Sequence, residues 1–174
     1  MTTSSSQENA TALALTASVA SETFGDPAEA LEAILSAAQR ITGFRTVLIS
    51  EISTKRSDLR IHAVQNTDPA LTVPLGLQIP LTASPCQHVA SSFKPFVSAN
   101  MQADAELSLL PAARDMGASA YIGVPVVLGD GTFFGTLVGL DTEAQESVPH
   151  IQWMQVLARL AGQQIERQRV AELV

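Results

Sequence analysis

Apolar residues run almost without interruption through 121–128 and 132–140, and Gly129-Asp130-Gly131 stands between the two runs. Asp-Gly between apolar runs predicts an antiparallel hairpin with a tight turn at Asp130-Gly131, both central positions taking positive φ. That register sets Leu128 against Phe133, Val126 against Gly135, Val124 against Leu137 and Ile122 against Gly139. The opposite face then holds Tyr121, Gly123, Pro125 and Val127 beside Phe134, Thr136, Val138 and Leu140. A hairpin with one wet face alternates apolar and polar residues, whereas this one is apolar on both faces. Each side of the sheet therefore needs a cover.

Two long amphipathic segments can supply one cover. The first follows Asp26, a candidate N-cap, with Pro27 at the first helical position and Glu29 at capping-box spacing. Leu31, Ile34, Leu35 and Ala38 form its apolar stripe, and Gly43 ends it. The second spans 148–172, where Ile151, Trp153, Met154, Val156, Leu157, Leu160, Ala161 and Ile165 occupy more than one stripe. So broad an apolar surface suits contact with the sheet and with another helix.

The rest of the chain predicts further strands and an irregular middle. Residues 47–52 and 59–64 are β-rich and joined by the polar stretch 53–58. Pro69, Pro74 and Pro80 limit regular structure before a short strand at 77–81. Ser84 and Pro85 start a short helix, Lys94-Pro95 interrupts it, and a brief strand follows at 96–99. Residues 105–116 form a weaker helix or helical turn broken by Pro111 and terminated by Gly117. The middle, 67–117, is left to roof the second face, the kind of place where small-molecule pockets form. At the N-terminus residues 1–9 are expected to be an untethered tail, and 10–23 an Ala-rich helix with little apolar bulk to anchor it.

Composition narrows the function classes. With 174 residues, 46% of them hydrophobic, the chain is long enough for one domain with a sizeable core. A formal net charge of −7 argues against nonspecific affinity for nucleic acid or for an anionic membrane. The single cysteine excludes an internal disulfide framework and any multi-cysteine zinc site, and suits a reducing, cytoplasmic interior. No uncharged apolar run approaches the roughly 20 residues a bilayer helix needs. Residues 10–20 lack the preceding basic residues of a secretion signal.

The segments Ser84-Pro85-Cys86-Gln87-His88-Val89, Lys94-Pro95-Phe96-Val97, Gly117-Ala118-Ser119-Ala120-Tyr121-Ile122-Gly123-Val124-Pro125-Val126 and Gly135-Thr136-Leu137-Val138-Gly139-Leu140-Asp141 resemble a GAF domain over residues 26–168. The resemblance implies an α+β fold: a central antiparallel sheet of about six strands, terminal helices on one face, and loops plus short helices around a pocket on the other. It further implies a sensing module that dimerises through its terminal helices and regulates an output domain. Cyclic-nucleotide-binding members often carry an Asn-Lys-x-x-Phe-x-x-x-Asp-Glu string, which is absent here. Bilin-binding members use a cysteine just before the Gly-x-Ser-x-Tyr-type strand; here Glu106-Leu107-Ser108-Leu109-Leu110 offers no thiol, so a covalent bilin is not expected there. Free methionine sulfoxide reductases share the fold but use several cysteines, the key one in this same segment.

Five residues are candidates for ligand binding: Cys86, His88, Asp104, Arg114 and Tyr121. Cys86, near a helix N-terminus, is either a reactive or redox-sensing thiol or a small buried residue beneath the roof. His88, two residues on, is either a ligand-polarising or haem-ligating group or an ordinary helix-surface histidine, and haem is not expected. Arg114 can hold an anion by paired hydrogen bonds or face solvent with Asp104, while Tyr121 opens the adjacent strand. Gly123 and Gly139 leave room for close approach of a ligand or a helix. His62, His88 and His150 are scattered without metal-ligand spacing, and no metal is assigned. No Ser-His-Asp order or carboxylate pair stands out, so catalysis is not expected.

These readings combine into a division of the chain: 1–24 a flexible or weakly helical tail, 25–168 the sensor domain, and 169–174 the end of a signalling helix. The expected protein is a cytoplasmic regulatory domain in signal transduction that binds an unidentified small ligand or mediates dimerisation, a homodimer through its terminal helices, with a histidine kinase or cyclic-dinucleotide enzyme as candidate output domain. The alternative is a sulfoxide reductase or redox sensor acting through Cys86.

Overall fold

The computed structural model describes residues 2–21, 25–148 and 150–173. Residues 22 and 23, the end of the expected N-terminal helix, and 149, near the start of the expected C-terminal one, lie outside the described residues, as do 1, 24 and 174. Six strands form one antiparallel sheet: β1 Thr46–Ser53, β2 Asp58–Asn66, β3 Gln78–Pro80, β4 Phe96–Ser98, β5 Ala120–Val127 and β6 Phe133–Asp141. Their order across the sheet is β3-β2-β1-β6-β5-β4, with the three-residue strands at both edges. Short edge strands leave little unpaired backbone for other chains to join.

Alternation divides the central strands between two cores. Val47 and Ile49 of β1, Ile122, Val124 and Val126 of β5, and Leu137 of β6 face a helical layer. Leu48, Tyr121, Val138 and Leu140 face the other way, into a second cluster. Helices α1 Thr2–Ser21, α2 Pro27–Thr42 and α5 Ile151–Glu172 make the helical layer. Asp26 caps α2 by accepting the Ala28 N–H at 3.0 Å. The second cover consists of α3 Cys86–Ser92, α4 Pro111–Arg114, the 3-10 turns Leu81–Ala83, Met101–Ala103 and Leu107–Leu109, and the loops between them.

Three expectations need correction or narrowing. First, residues 2–9 belong to α1 rather than to a tail, since Ala12 and Thr16 let the helix approach α2 and α5 closely enough to bury both residues. Second, of the two forms expected for 105–116 the short turns are the ones found: Pro111 opens α4 and the residues before it form a separate 3-10 turn. Third, the β5–β6 turn has three residues: Leu128 and Thr132 bond across it at 2.9 Å, and Gly131 alone takes positive φ, at 88°. A bulge beside Val126 and Val127 absorbs the extra residue, so Val127 pairs with Phe133. Phe134 consequently turns into the helical core and Phe133 into the other, the reverse of the two-residue-turn expectation.

The helical layer meets the sheet backbone directly at Gly162 of α5, where a Cβ would collide with the Val127 carbonyl oxygen. One turn on, the Glu166 carboxylate accepts the Gly129 N–H at 2.8 Å and ties the hairpin tip to the same helix. Gly162→Ala should therefore destabilise the fold by about 1–3 kcal/mol, because backbone cannot swing aside. The check is a lower urea midpoint with an unchanged slope.

Candidate functional site

Tyr121 lies flat along β5 because Gly123, two residues on and on the same face, has no side chain to displace it; a Cβ there would strike the Tyr121 hydroxyl. The phenol donates to Cys86 Sγ at 3.2 Å. Cys86 arrives from the roof on α3, whose start is fixed by the Ser84 hydroxyl accepting the Cys86 N–H at 3.1 Å. Thr136 of β6 also donates to Cys86 Sγ, at 3.4 Å. The Ser50 hydroxyl of β1, directly opposite in the sheet, shares a 2.5 Å hydrogen bond with the Thr136 hydroxyl. These four buried side chains form one closed polar chain inside an apolar core, each satisfying a neighbour. Burial, reinforced by Cys86, pushes the Tyr121 phenol well above its ordinary value near 10, so it stays a neutral donor.

Beside this chain is a cavity of about 40 Å³. Leu48, Leu59, Ile61, Val138 and Leu140 form its floor, and Val73, Leu77, Ala112 and Met116 its roof. None of its lining residues is charged.

Of the five candidate residues, the fold brings only Cys86 and Tyr121 together. His88 is half-buried and stacks on Phe96, ring centres 4.4 Å apart, outside the cavity lining. For Asp104 and Arg114 the solvent-facing alternative is the one the fold adopts. The Asp104 carboxylate accepts the Glu106 and Leu107 N–H groups and shapes the loop, and Arg114 pairs with Asp115 at 3.0 Å. The physical reason is local: each finds its partner within three residues in sequence and has no need to reach inward. Gly139 accommodates Phe44, and Gly123 accommodates Tyr121, so neither glycine's space is open to a ligand. Among the described residues, no group of three or more His, Cys, Asp or Glu is placed to hold a metal ion.

Sequence reasoning missed Ser50 and Thr136, hydroxyls at buried positions of β1 and β6. It also missed an ionic cluster that fastens the roof. Arg45, just before β1, holds Asp141 of β6 at 2.7 Å and Asp68 of the roof loop at 3.2 Å. Asp68 additionally accepts from the Thr142 hydroxyl at 2.7 Å and the Ala70 N–H at 2.9 Å. Those two bonds, with the Arg45 charge, hold its carboxyl below the usual range. For Asp141, burial opposes the charged form, but the Arg45 guanidinium and the Glu143 and Arg45 N–H groups outweigh it, and its carboxyl is also lowered. The loop so anchored carries Leu71 and Val73 into the pocket-side core.

A family model for the GAF domain matches residues 25–166. The chain belongs to the GAF domain family. Its six-stranded antiparallel sheet and α+β layering are those of solved GAF domains. The GAF domain from an Acinetobacter phosphoenolpyruvate-protein phosphotransferase superposes with a TM-score of 0.71 at 12% identity, covering 97% of this chain and 98% of that one. The chromophore-binding domain of an unusual bacteriophytochrome from R. palustris gives 0.71 at 15% identity, covering 97% of this chain and 63% of that one. This GAF domain thus spans less than two thirds of the phytochrome fragment. A free methionine-R-sulfoxide reductase from Neisseria meningitidis, solved with its substrate, gives 0.68 at 18% identity over 94% of this chain and 91% of that one. No curated protein matches the sequence. At these identities the structural likeness concerns the fold.

Two outcomes follow for this GAF domain. Tyr121→Phe removes one buried hydrogen bond and should cost about 0.5–1.5 kcal/mol, read from urea unfolding. Because the Asp68 and Asp141 carboxyls are lowered on folding, their contribution is present above the unfolded carboxylate value of about 3.9 and is lost as pH falls through the folded values. The urea midpoint should therefore fall steeply below about pH 4, and Asp141→Asn should lower it at pH 7 while flattening that acid limb.

Proposed function

We propose that this GAF domain is a regulatory sensor in which the state of the pocket-side chamber is passed through the shared sheet to the terminal helices. The observation carrying this reading is the alternation along β5: Tyr121 lines the chamber with Gly123 making room for its ring, while Ile122, Val124 and Val126 pack on the helical layer. A displacement of β5 on one side is felt on the other, because both faces are close-packed. α5 is the natural recipient, since Gly162 rests on the β5 backbone and Glu166 holds the hairpin tip.

Beyond the sheet, α5 leaves Val156 and Val170 exposed, and α1 leaves Leu13 exposed. In our reading these helices pair with those of a second copy, and α5 leads to an output domain such as a histidine kinase or a cyclic-dinucleotide enzyme. Coupling of the usual size, about 1–3 kcal/mol, suffices to bias such a seam. No helix among the described residues is long and apolar enough to cross a membrane, and with one cysteine the chain suits the cytoplasm. We assign it no catalytic role of its own: Cys86 is the single thiol, is 3% exposed, and has no resolving partner within the chain.

Sedimentation at rising concentration tests the reading. A dimer is expected by high micromolar concentration, weakened by Val170→Glu with the circular dichroism unchanged. Its dissociation constant should move several-fold in Val138→Ile, which grows into the chamber floor. A strict monomer, or a constant indifferent to Val138→Ile, contradicts it. Turnover of free methionine sulfoxide that vanishes in Cys86→Ser would instead establish the reductase alternative.

A further inference from the structure

We propose that the chamber binds a small, uncharged, apolar molecule rather than an anion or a nucleotide; this specifies the ligand class for the sensing role above and rests on it. The cavity lining contains no charged side chain and no histidine. Most of its polar atoms are already committed to one another. The Tyr121 hydroxyl donates to Cys86, Ser50 and Thr136 share a hydrogen bond, and Ser84 accepts the Cys86 N–H. A polar guest would surrender its hydrogen bonds to water and recover few of them.

No charged side chain faces the chamber, and the nearest fixed cation holds the roof in place. Arg45 is engaged by Asp68 and Asp141, which are themselves the anchors of the roof loop. Arg114 is paired with Asp115 on the outer surface, and Asp104 is occupied by two backbone N–H groups. A phosphate or carboxylate entering the chamber would be an unpaired buried charge.

Size and surface chemistry complete the argument. A void of about 40 Å³ holds no more than a single compact atom or water as it stands, so a ring-sized guest enters only if the roof gives way. Water needs two to four polar partners to settle in such a space, which this wall does not present. The roof over it is made of short turns and of the flexible, polarisable Met116, which can withdraw for a ring-sized molecule without disturbing the sheet. Sulfur from Cys86 and Met116 and the ring of Tyr121 together favour an unsaturated or aromatic hydrocarbon-like guest.

The test uses benzene and xenon as neutral probes and cyclic guanosine monophosphate and inorganic phosphate as charged ones, read by calorimetry and by side-chain NMR shifts. Saturating benzene or xenon should raise the Tm by about 2 °C or more and move the Tyr121 and Met116 signals. Met116→Ala should tighten benzene binding several-fold, and Ala112→Val, which fills the roof, should abolish the response. Absence of any benzene or xenon response overturns the proposal. So does a Tm rise with either charged probe accompanied by Tyr121 shifts, which overturns the ligand class and leaves the sensing role standing. Benzene bound at Tyr121 with the Gly162 and Ile165 amides unmoved would uphold the ligand class and refute the sensing role.

Discussion

A sheet that is apolar on both sides is the constraint from which this molecule is built. Val47, Ile49, Ile122, Val124 and Leu137 on one face and Leu48, Tyr121, Val138 and Leu140 on the other are all less than a tenth exposed. Burying such side chains contributes roughly 1.5–3 kcal/mol each, so neither face can be left wet. Two covers are obligatory, and the chain supplies them from different material. The long helices present continuous stripes to one face, while the other receives proline-punctuated turns too short to form a regular layer.

That difference in covers decides where function can reside. Helices packed through Gly162 and Ala161 approach the sheet closely at those positions. Turns cannot tile a surface so well, and a cavity remains over Tyr121. The irregular roof is stabilised by specific polar fastenings instead: the Arg45 cluster at one end of the loop and the Cys86 hydrogen bonds at the other. One side of the GAF domain is thus rigid by packing, the other held by a few bonds that can yield, with the sheet between them as the common part.

Much of this architecture was legible from local patterns. The double-sided hairpin, the Asp26-Pro27 helix start and the Leu31–Ile34–Leu35–Ala38 stripe depend on neighbours in sequence, and each element formed where those neighbours place it. The hairpin's tip was misjudged because Gly129-Asp130-Gly131 supports both a two-residue and a three-residue turn. The choice between them rests on Phe134, which is buried against the helical layer and meets His62 edge-on at 5.2 Å and the Arg169 guanidinium at 5.1 Å, contacts invisible to local pattern. The site was harder. Cys86 and Tyr121 declared themselves by residue type and position, but Ser50 meets Thr136 only through the β1–β6 register, 86 residues apart. For Asp104 and Arg114 the sequence left two orientations open, because proximity to a roof in sequence does not determine which way a side chain turns.

The central claim is that one sheet carries a firm helical cover and a yielding roof. Native-state hydrogen exchange under mildly denaturing conditions addresses it residue by residue. Amides of β1, β5 and β6, together with Leu35 of α2 and Leu157 and Ile165 of α5, should exchange only through global unfolding. Those of Leu71, Leu77, Leu109 and Met116 should open at distinctly lower cost and without exposing the helices. Opening of α2 and α5 ahead of the roof, or a single shared opening for both covers, would contradict the account.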